Sequence, residues 1–133
     1  MPRLSVYFTR MALANLAVAF SLGGLLLANK GVLISPYIWK LLPLHVEMTL
    51  AGGLVQLAVG VAFWILPRFS GAAPRGDERL SWAALVLLNA GIGAAVLAVL
   101  FTAPWLALAG RVMEAAGLAA FALGNWKRVK PMF

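Results

Sequence analysis

SWAALVLLNAGIGAAVLAVLFTAPWLALAGRVMEAAGLAAFALGNW, residues 81–126, settles the fold class of this chain. Its first part, 81–101, carries no charged side chain at all. Hydrocarbon about 30 Å thick takes about 20 helical residues to cross, and this run is long enough. Thr102, Ala103 and Pro104 then make a tight turn, and a second apolar run returns over 105–126. So short a turn forces the two helices to be antiparallel neighbours.

Two more runs of the same kind precede this hairpin, at 11–28 and 41–66. Together they predict an all-α integral membrane protein, a single domain over 1–133. Its four transmembrane helices, roughly 6–29, 41–67, 80–102 and 105–127, form an antiparallel up–down bundle. Composition agrees: 63% of the 133 residues are hydrophobic and only 11% are charged, with mean hydropathy +0.93. A soluble domain carries about a quarter charged residues. The first run follows Arg3 and Arg10 as a signal peptide would. It is long for one, however, and no small-x-small cleavage site follows, so it reads as a retained anchor.

The connections are short. The first, 29–40, holds Gly31, Ser35 and Pro36, with Tyr37 and Trp39 as interfacial aromatics. Pro43 is expected in the first turn of the second helix, where its missing N–H costs nothing. Pro67 ends that helix. The loop 68–79 is the only strongly polar segment, and its Pro74, Gly76, Asp77 and Glu78 read as turn and helix-start residues.

Basic residues set the expected orientation. Arg3, Arg10, Arg68, Arg75, Arg79, Lys127, Arg128 and Lys130 lie on one face, against Lys30 and Lys40 on the other, with Arg111 inside the fourth helix. The positive-inside rule places both termini in the cytoplasm. The expected location is therefore multi-pass, in the cytoplasmic (inner) membrane of a prokaryote. In such a protein the net charge of +7 reports orientation and contact with the lipid bilayer rather than nucleic acid.

Cysteine is absent, which excludes disulfides, thiolate metal sites and cysteine nucleophiles. No nucleophile–base pairing, phosphate loop or calcium repeat is visible, so no stand-alone catalysis and no catalytic residue is expected. The chemistry must lie in the few ionisable groups of the apolar runs, each costing roughly 2.5–3.5 kcal/mol near a bilayer centre. These are His45 and Glu47 in the second helix and Arg111 and Glu114 in the fourth. Arg111 and Glu114 are three apart and can pair. That pair reads either as structural, at a dimer interface for instance, or as anion recognition and proton handling.

On the second helix His45, Thr49, Gly52, Gln56 and Gly60 fall within about 80° at 100° per residue. On the fourth, Gly110, Glu114, Gly117, Phe121 and Gly124 form a similar stripe. Both read as helix packing through small residues. The first, lying beside a histidine, would also accept a flat cofactor. His45 reads either as an interfacial polar residue or as a ligand. One histidine cannot build a metal site with scattered carboxylates, but it suffices as one axial ligand of heme iron. A second ligand would come from Met48, from Met113 or from His45 of a second copy, or be missing altogether. Thr49, Gly52 and Gln56 would line the slot, and Arg111 or Lys40 would meet a propionate.

The stretch 44–69, LHVEMTLAGGLVQLAVGVAFWILPRF, resembles the second helix of heme–copper oxidase catalytic subunits, especially the relatives that include nitric oxide reductases. The resemblance implies that His45 ligates a b-type heme and that Leu66 and Pro67 are the pair closing the helix. It is concentrated in this segment, although FALGNWKRVKP at 121–131 is similar to small stand-alone relatives. The full catalytic subunits have further helices carrying further ligands, which this chain lacks. Where some relatives carry an aromatic residue and a histidine before Leu-Pro, this chain has Phe63 and Trp64. The expectation is a small oxidase-subunit-like protein of the respiratory chain that binds heme for electron transfer or heme sensing, as a homo-oligomer or beside a larger respiratory complex. The alternative is a cofactor-free accessory or assembly subunit of such a complex. A proton-coupled transporter using Glu114 or Glu47 is a third reading. Its size is similar to that of small multidrug transporters, whose essential acid lies in a first helix that has none here.

Overall fold

The computed structural model describes residues 1–69, 75 and 77–129. Four helices dominate it: the first Arg3–Gly31, the second Pro36–Ile65, the third Arg79–Phe101 and the fourth Pro104–Asn125, which ends in a 3₁₀ turn, Trp126–Arg128. All four are long and apolar enough to cross a membrane. No strand occurs among the described residues. Pro74, Gly76 and Lys130 lie outside them.

The second helix starts earlier than its apolar run suggests. Ser35 Oγ accepts the N–H of Tyr37 at 3.3 Å, Pro36 takes the first position, and the chain enters as a 3₁₀ segment, Pro36–Leu41. Tyr37 and Trp39 therefore ride on a helix rather than in a loop. Pro43 sits inside the span, where the 3₁₀ turns give way to the α-helical Leu42–Glu47. Just before this helix Asn29 organises the connection, its Oδ1 accepting from Ile34 N and Ser35 N at 3.0 and 2.9 Å. At the far end Leu66 turns extended (ψ 142°), as a residue before proline must, and the helix stops. Asp77 Oδ1 accepts from Arg79 N at 2.9 Å, so the expected start of the third helix stands.

Two antiparallel hairpins result. In the first, His45 rests on Gly23, Gly52 on Asn15 and Gly60 on Phe8. In the second, Gly91, Gly110, Gly117 and Gly124 bring backbones together; a Cβ on Gly110 would lie 2.8 Å from the Gly91 carbonyl oxygen. Glycines seven apart keep one seam facing the partner helix along its length. Thr102 turns the hairpin in the left-handed conformation (φ 52°), and Ala103 N closes back on Ala98 O at 3.0 Å. Leu4 and Phe8, Val59 and Phe63, and Ala84, Leu88 and Ile92 form the apolar core where the first three helices meet.

Arg128 joins the fourth helix to the second. Its side chain is almost wholly buried, at 1% exposure, and among the described residues it makes no ion pair with a carboxylate. Nε donates to Pro67 O at 3.1 Å, and one terminal nitrogen donates to Phe63 O and Leu66 O at 3.0 and 2.9 Å. The other donates to Asn125 Oδ1 at 2.7 Å, and the guanidinium carbon lies 4.9 Å from the Phe63 ring centre. These carbonyls are the orphans a helix leaves at its C-terminus, where positive charge is also favoured. Asn125 in turn donates to Ser81 Oγ at 2.9 Å, tying in the third helix.

Gly110→Ala should lower stability by about 2 kcal/mol, because its Cβ meets backbone that cannot move aside. Gly93→Ala, with nothing within 4 Å of its Cβ, should be neutral or stabilising. Thermal unfolding of the two variants in the same detergent checks the contrast.

Candidate functional site

The ionisable residues expected to carry chemistry fall into two places. His45 faces the first helix. Its Nδ1 lies 2.8 Å from Ala19 O, which can only accept, so Nδ1 carries the proton and donates. Nε2 is left with its lone pair. Gly23 makes the close approach possible, since a Cβ there would stand 2.8 Å from Cε1 of the ring. The ring borders a groove of about 220 Å³ with Leu26, Leu27, Lys30, Trp39 and Leu42.

The second place joins two helices. Arg111 holds Glu114 on its own helix at 3.0 Å, the pairing its spacing predicts, and Glu47 of the second helix at 2.5 Å. Glu47 and Glu114 are buried, while the guanidinium is more than half exposed. One carboxylate oxygen of each acid, Oε1, is buried and has no hydrogen-bond partner. Room for Glu114 comes from Gly91, where a Cβ would lie 2.8 Å from its Cγ. Glu47 and Arg111 also border a cavity of about 360 Å³ walled by alanines 95, 98 and 107, Val99 and the Thr102–Pro104 turn. The contact between Glu47 and Arg111 crosses between helices and has no signature in local spacing.

The remaining candidates are spent on packing. Gly52 is covered by Asn15, whose Nδ2 donates to Gly52 O at 3.2 Å. Gln56 is buried and donates to Asn89 Oδ1 of the third helix at 3.2 Å. Thr49 Oγ1 donates to His45 O at 2.7 Å. The first helix thus fills the space expected for a flat group beside Gly52 and Gly60, and the open volume beside His45 lies instead toward Leu26 and Trp39. Met48 stands one turn from His45 on the same helix, so it cannot reach the opposite face of a ring that His45 holds. Met113 is half-buried on the fourth helix, which packs against the third. Arg111 is committed to its two acids. Lys40 lies over the Tyr37 ring, 5.1 Å from its centre.

A local anomaly accompanies these residues. From Met48 to Val55 the second helix is wound as a π-helix, starting directly after Glu47. Wide turns of this kind are rare and occur mostly near functional sites. The Thr49 hydroxyl supplies a donor to the His45 carbonyl where the winding changes.

No protein-family model, curated protein or solved structure matches this chain.

Arg111→Ala should cost on the order of 2 kcal/mol, since it strands the buried Glu47 charge, a loss moderated by the exposure of the guanidinium. Arg111→Ala combined with Glu47→Gln and Glu114→Gln should recover much of that loss. Unfolding of the single and triple variants side by side measures it; a triple variant no better than the single would show that the guanidinium acts through packing alone.

Proposed function

We propose that this is a multi-pass protein of the cytoplasmic membrane of a prokaryote, with both termini in the cytoplasm, and that its His45 groove holds a b-type heme. Four apolar helices support the membrane reading. So do the exposed aromatics at both ends, Tyr37, Trp39 and Trp105 at one, Tyr7, Trp64, Trp82 and Trp126 at the other. Trp105 and Trp126 are about 31 Å apart along the fourth helix, close to the hydrocarbon thickness.

The observation that carries the heme reading is the bond from His45 Nδ1 to Ala19 O. A histidine that ligates a metal donates its other ring nitrogen to a carbonyl or carboxylate, which fixes the tautomer and the ring plane. Here that second partner is in place, and the ring borders an apolar groove. Bound heme would supply reversible one-electron exchange, or an open iron position for a small ligand. His45 would hold the iron, Leu26, Leu27, Leu42 and Trp39 would exclude water, and Lys30 would meet a propionate. A porphyrin is wider than this groove, so a second copy or a larger respiratory partner covers its far side. His45 of that copy would supply a further ligand.

A second reading, a cofactor-free accessory subunit of a respiratory membrane complex, is favoured by Gly24 and Gly93. Both face outward with nothing within 4 Å of a built Cβ, as at helix–helix docking faces.

An optical spectrum of detergent-purified protein, oxidised and then reduced with dithionite, separates the two readings. We expect a Soret band with sharp reduced α and β bands, lost in His45→Ala and perturbed in Gly23→Ala. An unchanged heme spectrum in His45→Ala would defeat the ligand assignment, and colourless protein from heme-replete cells would favour the docking subunit. For orientation, the absence of cysteine allows clean single-site labelling. Lys40→Cys should react with an impermeant maleimide from outside the cell, and Lys127→Cys only after lysis.

A further inference from the structure

We infer that the termini-bearing end of the first helix is a binding site for the phosphate of an anionic phospholipid, held between Arg3 and Arg10. This inference rests on the membrane-spanning reading and extends it to a particular lipid class. The two arginines are seven residues apart, so they lie on one helix face, about 10 Å apart along the axis. They border a single cavity of about 230 Å³ with Met1, Val6 and Tyr7. Tyr7 is steadied at the rim by Trp82 of the third helix, with ring centres 5.7 Å apart. The cavity thus offers two guanidinium forks and a phenol beside an apolar wall, and no acidic residue lines it.

Charge counting favours an external anion. The chain has only four acidic residues. Glu47 and Glu114 are engaged by Arg111 near the other end, and Asp77 is paired with Arg79 at 3.9 Å. Glu78, at the start of the third helix, makes no ion pair among the described residues and does not line the cavity. Among the described residues neither Arg3 nor Arg10 has a carboxylate partner. Arg10 also stands about 10 Å along the helix from Arg3, at a depth where an uncompensated charge is costly and a long side chain reaches toward headgroups. Guanidinium binds phosphate bidentately, so two arginines bordering one cavity favour a localised phosphate over a diffuse field. Exposed Met11 and Leu13 continue the same helix beyond the cavity and offer apolar surface to acyl chains.

The test uses the full chain, delipidated in neutral detergent, titrated with phosphatidylglycerol or phosphatidylcholine, with thermal unfolding and native mass spectrometry as readouts. Phosphatidylglycerol should stabilise the wild type and remain bound, whereas phosphatidylcholine should do neither. Arg3→Gln with Arg10→Gln should weaken phosphatidylglycerol binding on the order of 30-fold. Arg79→Gln with Lys127→Gln, which removes as much charge outside the cavity, should leave it unchanged. Equal weakening in both double variants would overturn the site in favour of diffuse attraction. Equal stabilisation by inorganic phosphate would overturn the lipid assignment. Release of the protein from membranes by alkaline carbonate would defeat the membrane reading itself, whereas retention there with indifference to lipid headgroup defeats this inference alone.

Discussion

A buried guanidinium held by backbone carbonyls organises one end of this molecule. Arg128 takes its neutralisation from backbone dipoles, donating to the last carbonyls of the second helix and to Asn125. Those carbonyls would otherwise be orphaned, because Pro67 brings no N–H and the chain turns away from the helix. Each side supplies what the other lacks. Arg111 does related work at the other end, about 25 Å along the fourth helix, by holding Glu47. The fourth helix is thus fastened to the second at two points, although its broad face lies on the third.

Between the fastenings the packing is set by the absence of side chains. Gly91, Gly110, Gly117 and Gly124 let the third and fourth helices approach until a Cβ would collide with the neighbouring helix. Gly23, Gly52 and Gly60 do the same for the first and second. Close approach gains dispersion contacts and Cα–H···O contacts, the forces left to a helix pair when no water is released between them. It also fixes rotation, since each glycine admits one particular neighbour: an imidazole, an amide or a phenyl group in the first hairpin, a carboxylate side chain in the second.

The helices and the last turn were legible because they depend on local chemistry. Uncharged runs of bilayer length, Pro67 as a stop and Thr102–Pro104 as a turn all act within a few residues. The seven-residue glycine spacing likewise declared its own seam. Arg128 was not legible, because a basic residue at a helix end reads as an orientation signal and its partners lie about sixty residues away. Glu47 escaped for the same reason: Arg111 found its near neighbour Glu114 by spacing, but its shorter contact spans two helices. The stripe from His45 to Gly60 was correct as a packing face, yet spacing could not tell whether helix or ligand would fill it. The early start of the second helix hinges on one Ser35 hydrogen bond, too small a feature to outweigh the polar look of the connection.

The π-helical stretch from Met48 to Val55 gives the second helix an extra residue relative to an α-helix of the same length. It works like an insertion retained in the middle of the span. Shedding any one residue from it would allow ordinary winding while keeping the lower half, from Gln56 to Arg128's carbonyl partners, in place. Because the wide turns already absorb that residue, the upper half would stay close to its present facing, with His45 near Gly23 and Glu47 near Arg111. A length change of a single residue would therefore separate the wide winding itself from the two ionisable sites beside it, a distinction that no substitution at either site can draw.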